Sequence, residues 1–305
     1  MTLDELLRAP SPPDEITLSQ ADLRRLYWKH RGLQKDAERD HAYWEATNQN
    51  LKKAYETLDE QERQLAAAYR IIRDDLEVAS RIQTSLMPSS HEIPGLDCAV
   101  HHKQLTEVGG DYYDFFRTRG DATAIGVFDI SGHGVSAALV MAFLKAQFML
   151  ALDSLDTPDA IVDAVNARSF AFLRGVKKYA TVNFAVIGKS ELCYACGGGF
   201  GLLLHGDETH VFEKQAPFLG LRRKPYAQHR LPFVTGDLVA LYTDGMVEAQ
   251  DADGRDYSVA RLNDIIVRHR DAAPAEILAR CLEDYEGFRS EDTDDITLLI
   301  ARRTA

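Results

Sequence analysis

The chain lacks a basic excess. Against 47 Asp and Glu stand only 35 Lys and Arg, for a formal net charge of −12 over 305 residues. Nucleic-acid backbones are held by Lys and Arg that displace counterions, so this balance excludes nucleic acid as the expected partner. Long apolar runs are scarce too. The best, residues 135–143, is far too short to cross a bilayer, and residues 1–8 show no basic region followed by an apolar core. The expectation is a cytoplasmic protein without membrane insertion. Cysteine is sparse, with four residues. Cys193-Tyr-Ala-Cys196 has a C-x-x-C spacing, but no second Cys or His pair sits at finger-like distance. The pair also lies in an alternating stretch where positions three apart face opposite ways, so it reads as strand rather than as zinc or redox chemistry.

What is present suffices for one full-sized core plus an appendage, at 45% hydrophobic residues. Residues 1–18 contain Pro10, Pro12 and Pro13 and read as a loose leader. From Ser19 the texture turns helical and charged, with Ser19 as N-cap and Asp22 in place of the usual Glu of a capping box. Trp44, Leu51, Leu58, Leu65, Ile72, Ala79 and Leu86 then recur at strict seven-residue intervals, a coiled-coil pattern. The companion column mixes Tyr55, Tyr69 and Leu76 with Asn48, Glu62 and Gln83, which suits a marginal or switchable dimer better than a permanent rod. A helix packed on its own catalytic domain would carry a similar stripe. Residues 19–88 are thus expected to form a regulatory and dimerisation segment ended by Pro88.

Beyond Pro88 come short β-branched or alternating runs at 98–103, 123–128, 181–187, 201–205, 238–242 and 296–300. Helical runs occupy 135–151, 158–174, 258–270 and 274–289. Strands cluster and helices come in pairs, which predicts an α+β layered domain over 91–303 rather than a doubly wound sheet.

Four acidic motifs each place Asp at a strand end beside a small residue, where a carboxylate projects and the backbone can approach a ligand. They are Gly109-Gly-Asp-Tyr-Tyr-Asp114, Phe128-Asp-Ile-Ser-Gly-His-Gly134, Tyr242-Thr-Asp-Gly245 and Asp294-Asp-Ile-Thr297. Carboxylates from separate strands suit hard divalent cations such as Mg²⁺ and Mn²⁺. Any one Asp-Gly at a strand end is usually only a turn, so the weight rests on the combination in order.

In that combination the sequence resembles the PPM-type serine/threonine phosphatases of the bacterial SpoIIE and RsbU branch. The likeness runs over about residues 77–303 and includes Ala79-Ser-Arg-Ile-Gln-Thr-Ser-Leu-Met-Pro88, Tyr179-Ala-Thr181 and Glu248 besides the acidic motifs. The resemblance implies an α-β-β-α sandwich with two Mn²⁺ or Mg²⁺ ions at one edge of the sheets. It implies that Asp129 bridges both ions, with Asp111, the Ile130 carbonyl, Asp244 and Asp294 completing the set. Asp295 is open to exchange roles with Asp294. A bridging water activated by two ions needs no covalent phospho-enzyme. His133 is a candidate for protonating the leaving serine oxygen, or a residue that holds the loop at a helix N-terminus. Asp114, Tyr112 and Tyr113 are candidates for the wall of the site, although Tyr beside a strand is more often packing, and the pair His101-His102 reads as a strand feature.

The resemblance further implies a phosphorylated STAS-type anti-sigma-factor antagonist as substrate, within a partner-switching pathway. No recognisable sensor domain precedes the coiled coil, so input is expected from an upstream protein. Two places depart from the pattern. Relatives commonly carry an Ala-Gly-His-Asn-Pro-like turn where this chain has Ala195-Cys-Gly-Gly-Gly199, and the usual Phe-Gly after Asp253-Gly254 is Tyr257-Ser258. Gly109-Gly-Asp-Tyr-Tyr is also similar to the diguanylate cyclase signature, but Tyr112 stands where an acidic residue belongs and the other three motifs go unexplained. A phosphatase fold used as a silent scaffold would be marked by loss of a carboxylate, and all are present.

Overall fold

The computed structural model describes residues 8, 17–89, 92–212 and 216–304. The leader's three prolines lie outside the described residues. The chain divides into two compact units, Met1–Ile72 and Arg73–Ala305.

One helix, α1 (Gln20–Leu86), spans 67 residues. Its start is the expected cap: the Asp22 N–H donates to Ser19 Oγ at 3.1 Å, and Ser19 Oγ donates to Asp22 Oδ2 at 2.7 Å. The seven-residue column is left in solvent, with Trp44, Leu51, Leu58, Leu65 and Ile72 all more than half exposed. The single buried residue of α1 is a polar one, Gln83.

After the helix, β1 (Leu96–Lys103), β2 (Tyr112–Arg117) and β3 (Thr123–Phe128) lead into α2 (Val135–Leu152) and α3 (Pro158–Gly175). Then follow β4 (Val182–Ile187), β5 (Glu191–Gly197), β6 (Phe200–His205), β7 (Glu208–Val211), β8 (His229–Pro232) and β9 (Leu238–Tyr242). The short α4 (Asp244–Val247), α5 (Val259–Arg268), α6 (Pro274–Phe288) and β10 (Ile296–Arg303) complete the chain. Every strand and helix expected from the sequence is found; β2, β5, β7 and β8 lie outside those runs.

The strands form two antiparallel five-stranded sheets, ordered β1-β10-β9-β6-β7 and β2-β3-β4-β5-β8. Period-two alternation divides their side chains between cores. On β3, Ala124 and Phe128 join α2 and α3 through Met141, Phe148 and Val165, whereas Ile125 and Val127 join the other sheet's Leu203, Leu241 and Leu299. On that sheet Leu202, Ala240 and Leu298 turn to α5 and α6, against Leu262, Ile277 and Cys281. Three apolar cores thus separate helices, sheet, sheet and helices. The apolar stretch at 135–143 continues into an 18-residue helix of mean hydropathy 1.9, long and apolar enough by length and composition to cross a membrane. Here it is a core helix, with Ala137, Val140, Met141, Leu144, Phe148, Ala151 and Leu152 buried.

Candidate metal and catalytic site

The acidic motifs meet because of strand register. Tyr112 pairs with Phe128, so Asp111, before β2, lies beside Asp129, after β3. Leu298 pairs with Tyr242, so Asp294 and Asp295, before β10, lie beside Asp244 at the start of α4. Burial, then the charges of Asp244, Asp294, Asp295 and Glu248, raise Asp129 to about 7. Burial and Asp129 push Asp111 well above the carboxylate range, against hydrogen bonds from Thr297 and Thr243. Asp294 is raised by burial, Asp244 and Asp295, with His133 and a bond from the Asp295 N–H opposing. Among the described residues no three His, Cys, Asp or Glu form a ready-made coordination shell. The donor set nonetheless fits hard divalent cations: several oxygens, crowded and short of positive charge.

Asp111 is held rigidly. Its Oδ2 accepts from Thr243 Oγ1 at 2.7 Å and from Thr297 Oγ1 at 2.6 Å. Oδ1 makes no hydrogen bond among the described residues, so it is the oxygen left for a ligand. Behind Thr297, its cross-strand partner His102 places Nδ1 2.9 Å from Thr297 Oγ1. Because Thr297 gives its proton to Asp111, His102 is the donor at Nδ1. Its Nε2 is then an acceptor, buried without a partner among the described residues, and burial lowers the ring to about 4, keeping it neutral. His102 is therefore more than a strand feature: it is the second layer behind Asp111.

Asp295 is used differently from Asp294. The buried Asp295 carboxylate accepts from Leu105 N at 2.8 Å, Gly110 N at 2.6 Å and Asp111 N at 3.2 Å, clamping the loop that carries Asp111. Asp294 is exposed and accepts from the Asp295 N–H. Gly110 is needed here, since a Cβ would lie 2.5 Å from Ile130 O. That close approach sets the Ile130 carbonyl against the Asp111 loop.

The end of α1 reaches the same loop. Gln83 Nε2 donates to Gly109 O at 2.9 Å, while Gln83 Oε1 accepts from Gly109 N and Gln104 Nε2. In the sequence Gln83 is only a weak point of the companion column; a buried amide there signals a docked helix end. Asp114, expected at the site wall, instead faces α2. It pairs with Lys145 at 2.6 Å and accepts from the Tyr112 hydroxyl, and Lys145 also bonds Leu86 O at 2.7 Å. Tyr112 packs in the core against Phe128, and Tyr113 lies against His102.

His133 is exposed next to the N-cap of α2, which is Gly134 without any side-chain cap, so His133 does not cap that helix. The 129–131 loop is fastened to 179–181: Thr181 N donates to Asp129 O, Asp129 N to Thr181 Oγ1, Ser131 N to Tyr179 O and Tyr179 N to Ser131 Oγ. Residue 180 in turn pairs with Leu219. The glycine run at 197–199 gives this wall its shape. Gly198 has φ +78, a Cβ there would overlap the Phe218 ring, and that ring stacks on the exposed Tyr179 at 5.4 Å. Cys193 and Cys196 are free thiols on β5.

Comparison with known proteins agrees with this geometry. Residues 119–304 match the family described as Stage II sporulation protein E (SpoIIE). Phosphoserine phosphatase RsbU of Bacillus subtilis (strain 168) is 24% identical over 248 residues, 76% of this chain and 71% of that protein. The SiaA-PP2C domain of Pseudomonas aeruginosa has the same fold, with a TM-score of 0.71 at 24% identity over 79% of this chain and 100% of that one. The catalytic domain of the serine threonine protein phosphatase PstP, solved with 2 manganese ions, gives a TM-score of 0.50 at 15% identity over 69% of this chain and 99% of that one. With the family match covering more than half of the sequence and the acidic motifs gathered at one edge of both sheets, this chain belongs to the SpoIIE family and is a protein serine/threonine phosphatase.

Proposed function

We propose that the chain hydrolyses phosphoserine or phosphothreonine on a signalling protein with two Mn²⁺ or Mg²⁺ ions held by Asp129, Asp111, Asp244, Asp294 and the Ile130 carbonyl. The observation that carries this is the strand register that gathers Asp111, Asp129, Asp244 and Asp294 at one sheet edge, where burial and neighbouring carboxylates raise Asp111, Asp129 and Asp294, a concentration of negative charge that divalent cations would offset. Ions so bound lower the pKa of a water and neutralise phosphate oxygens. The chain's own work is positioning. Thr243 and Thr297 leave one oxygen of Asp111 presented, Asp295 fixes the loop behind it, and Gly110 lets Ile130 O approach. His133, exposed beside Gly134 and near Asp294, gives a proton to the leaving serine oxygen in this reading.

By the same reading the substrate is a phosphorylated STAS-type protein in a partner-switching pathway in the cytoplasm. A second copy of the chain covers the exposed column from Trp44 to Ile72, and an upstream protein acts on α1. The Gln83 and Lys145 contacts support α1 as the element through which that input reaches Asp111.

The test is turnover of p-nitrophenyl phosphate and a phosphoserine peptide with and without Mn²⁺, for wild type, Asp129→Ala and Asp244→Ala. Mn²⁺-dependent turnover lost in both variants is expected. Turnover independent of metal, or none from the folded wild type, would refute the proposal.

A further inference from the structure

In a chain with 12 excess negative charges, one surface is conspicuously basic. Arg174, at the end of α3, and Arg222, Arg223 and Lys224, in the loop after Gly220, are all exposed. Among the described residues none of the four forms an ion pair, whereas the exposed Arg261 and Arg280 are matched with Asp284 and Glu283.

The two segments form one ridge. Arg174 and Arg223 both lie over the ring of Phe170, at 5.7 and 4.8 Å. The buried Asn166 donates to Arg222 O and accepts from Gly220 N, each at 3.0 Å. Asp163, which lines the same pocket as Arg223 and Lys224, accepts the Tyr226 N–H at 2.9 Å and forms no ion pair with them among the described residues. The ridge also adjoins the site. Lys178, one turn past Arg174, donates its N–H to Leu173 O and its Nζ to Ser131 O at 2.6 Å, on the loop that carries Asp129.

Four cations gathered on one ridge, beside a site that is itself acidic, complement an outside anion. We infer that the Arg174/Arg222–Lys224 ridge is a docking surface for the acidic face of the phosphoprotein substrate, and that phosphoserines flanked by Asp and Glu are preferred. This rests on the phosphatase reading and adds the charge of the substrate to it. Charges at the edge of an interface act mainly on encounter rate and salt dependence, so the preference should appear in kcat/KM and fade with salt.

The experiment uses the full chain with Mn²⁺ and two phosphoserine peptides that differ only in carrying Glu or Gln at the flanking positions, with p-nitrophenyl phosphate as a substrate too small to reach the ridge. At low salt the Glu peptide should lead in kcat/KM by about tenfold, a gap of the size several exposed charge pairs supply. That lead should shrink severalfold at ~0.5 M salt, where screening is within about 5 Å. In Arg222→Glu/Lys224→Glu the lead should vanish or invert while p-nitrophenyl phosphate turnover stays within about twofold. Arg222→Gln/Lys224→Gln guards against a folding defect and should halve the effect on a logarithmic scale. Equal turnover of the two peptides by wild type, or a preference that survives both variants and high salt, overturns the ridge while leaving the phosphatase reading intact. No Mn²⁺-dependent turnover of p-nitrophenyl phosphate by wild type overturns both.

Discussion

The adjacent carboxylates Asp294 and Asp295 should fail in opposite ways when each is changed to Asn. Asp295 is buried and its two oxygens accept from three backbone N–H groups, those of Leu105, Gly110 and Asp111. An amide keeps one acceptor oxygen, so in either orientation its NH₂ confronts at least one N–H donor. Hydrogen bonds to a charged group contribute about 1.5–3 kcal/mol each, and a buried donor left unsatisfied costs ~1–3 kcal/mol. Asp295→Asn should therefore cost about 2–4 kcal/mol, which for a domain of this size lowers Tm by roughly 5–15 °C. Among the described residues Asp294 accepts only from the Asp295 N–H, a bond that Asn retains, and its neighbours Asp244 and Asp295 disfavour its charge. Asp294→Asn should leave the metal-free Tm unchanged or slightly raised and increase the Mn²⁺ concentration for half-maximal turnover by at least about tenfold, the effect expected of a lost ligand. Thermal melts in EDTA and Mn²⁺ titrations of activity on both variants decide it. A stable Asp295→Asn with a weakened metal requirement, or a metal-free Asp294→Asn that melts much earlier, would show that the two roles have been assigned backwards.

Three further outcomes follow from the same structure. The folded pKa of Asp129, about 7, lies above its ordinary 3.8, so the native state keeps a proton the unfolded chain loses. This group's contribution is complete below about pH 4 and declines until about pH 7, by at most ~4 kcal/mol, so metal-free wild type should lose Tm over that range relative to Asp129→Asn; parallel curves would contradict it. Ser258 sits at φ 76, ψ 147, where the related pattern has Gly, and its Oγ caps Arg261 N at only 3.3 Å. Strain there is worth about 1–3 kcal/mol and the cap and chain-entropy losses ~1 kcal/mol, so Ser258→Gly should raise Tm by a few degrees in a thermal melt. Lys145→Met strands the buried Asp114 and should cost about 3–5 kcal/mol in urea unfolding, whereas adding Asp114→Asn should recover more than half, because no orphan charge then remains.

The legible and the illegible parts of this protein divide by sequence distance. The strand runs were visible because alternation is local, and the sites of Asp111 and Asp244 because Asp beside Gly at a strand end, like Asp129 three residues before Gly132, is written within a few consecutive letters. Local pattern stops there. His102 acts on Asp111 only through Thr297, and the two meet only once β1 is laid antiparallel on β10 with 102 opposite 297. Gln83 fills a polar slot of a heptad, and nothing nearby in the chain says that its partner is the backbone of Gly109. Asp114 sits inside an acidic motif three residues from Asp111, yet a strand turns such positions to different surroundings and Lys145 on α2 claims it. What could not be read is in each case the partner of a buried polar group, and such partners are enforced by desolvation: once packing removes water, each must find a complement wherever the fold supplies one. The groups that place Asp111 are of this kind, drawn from α1, β1, β10 and the residues just after β9 and before β10. Its position is therefore a property of the assembled sheets and of the docked helix end together, which explains why a motif of six letters can announce the carboxylate but not the geometry that makes it a ligand.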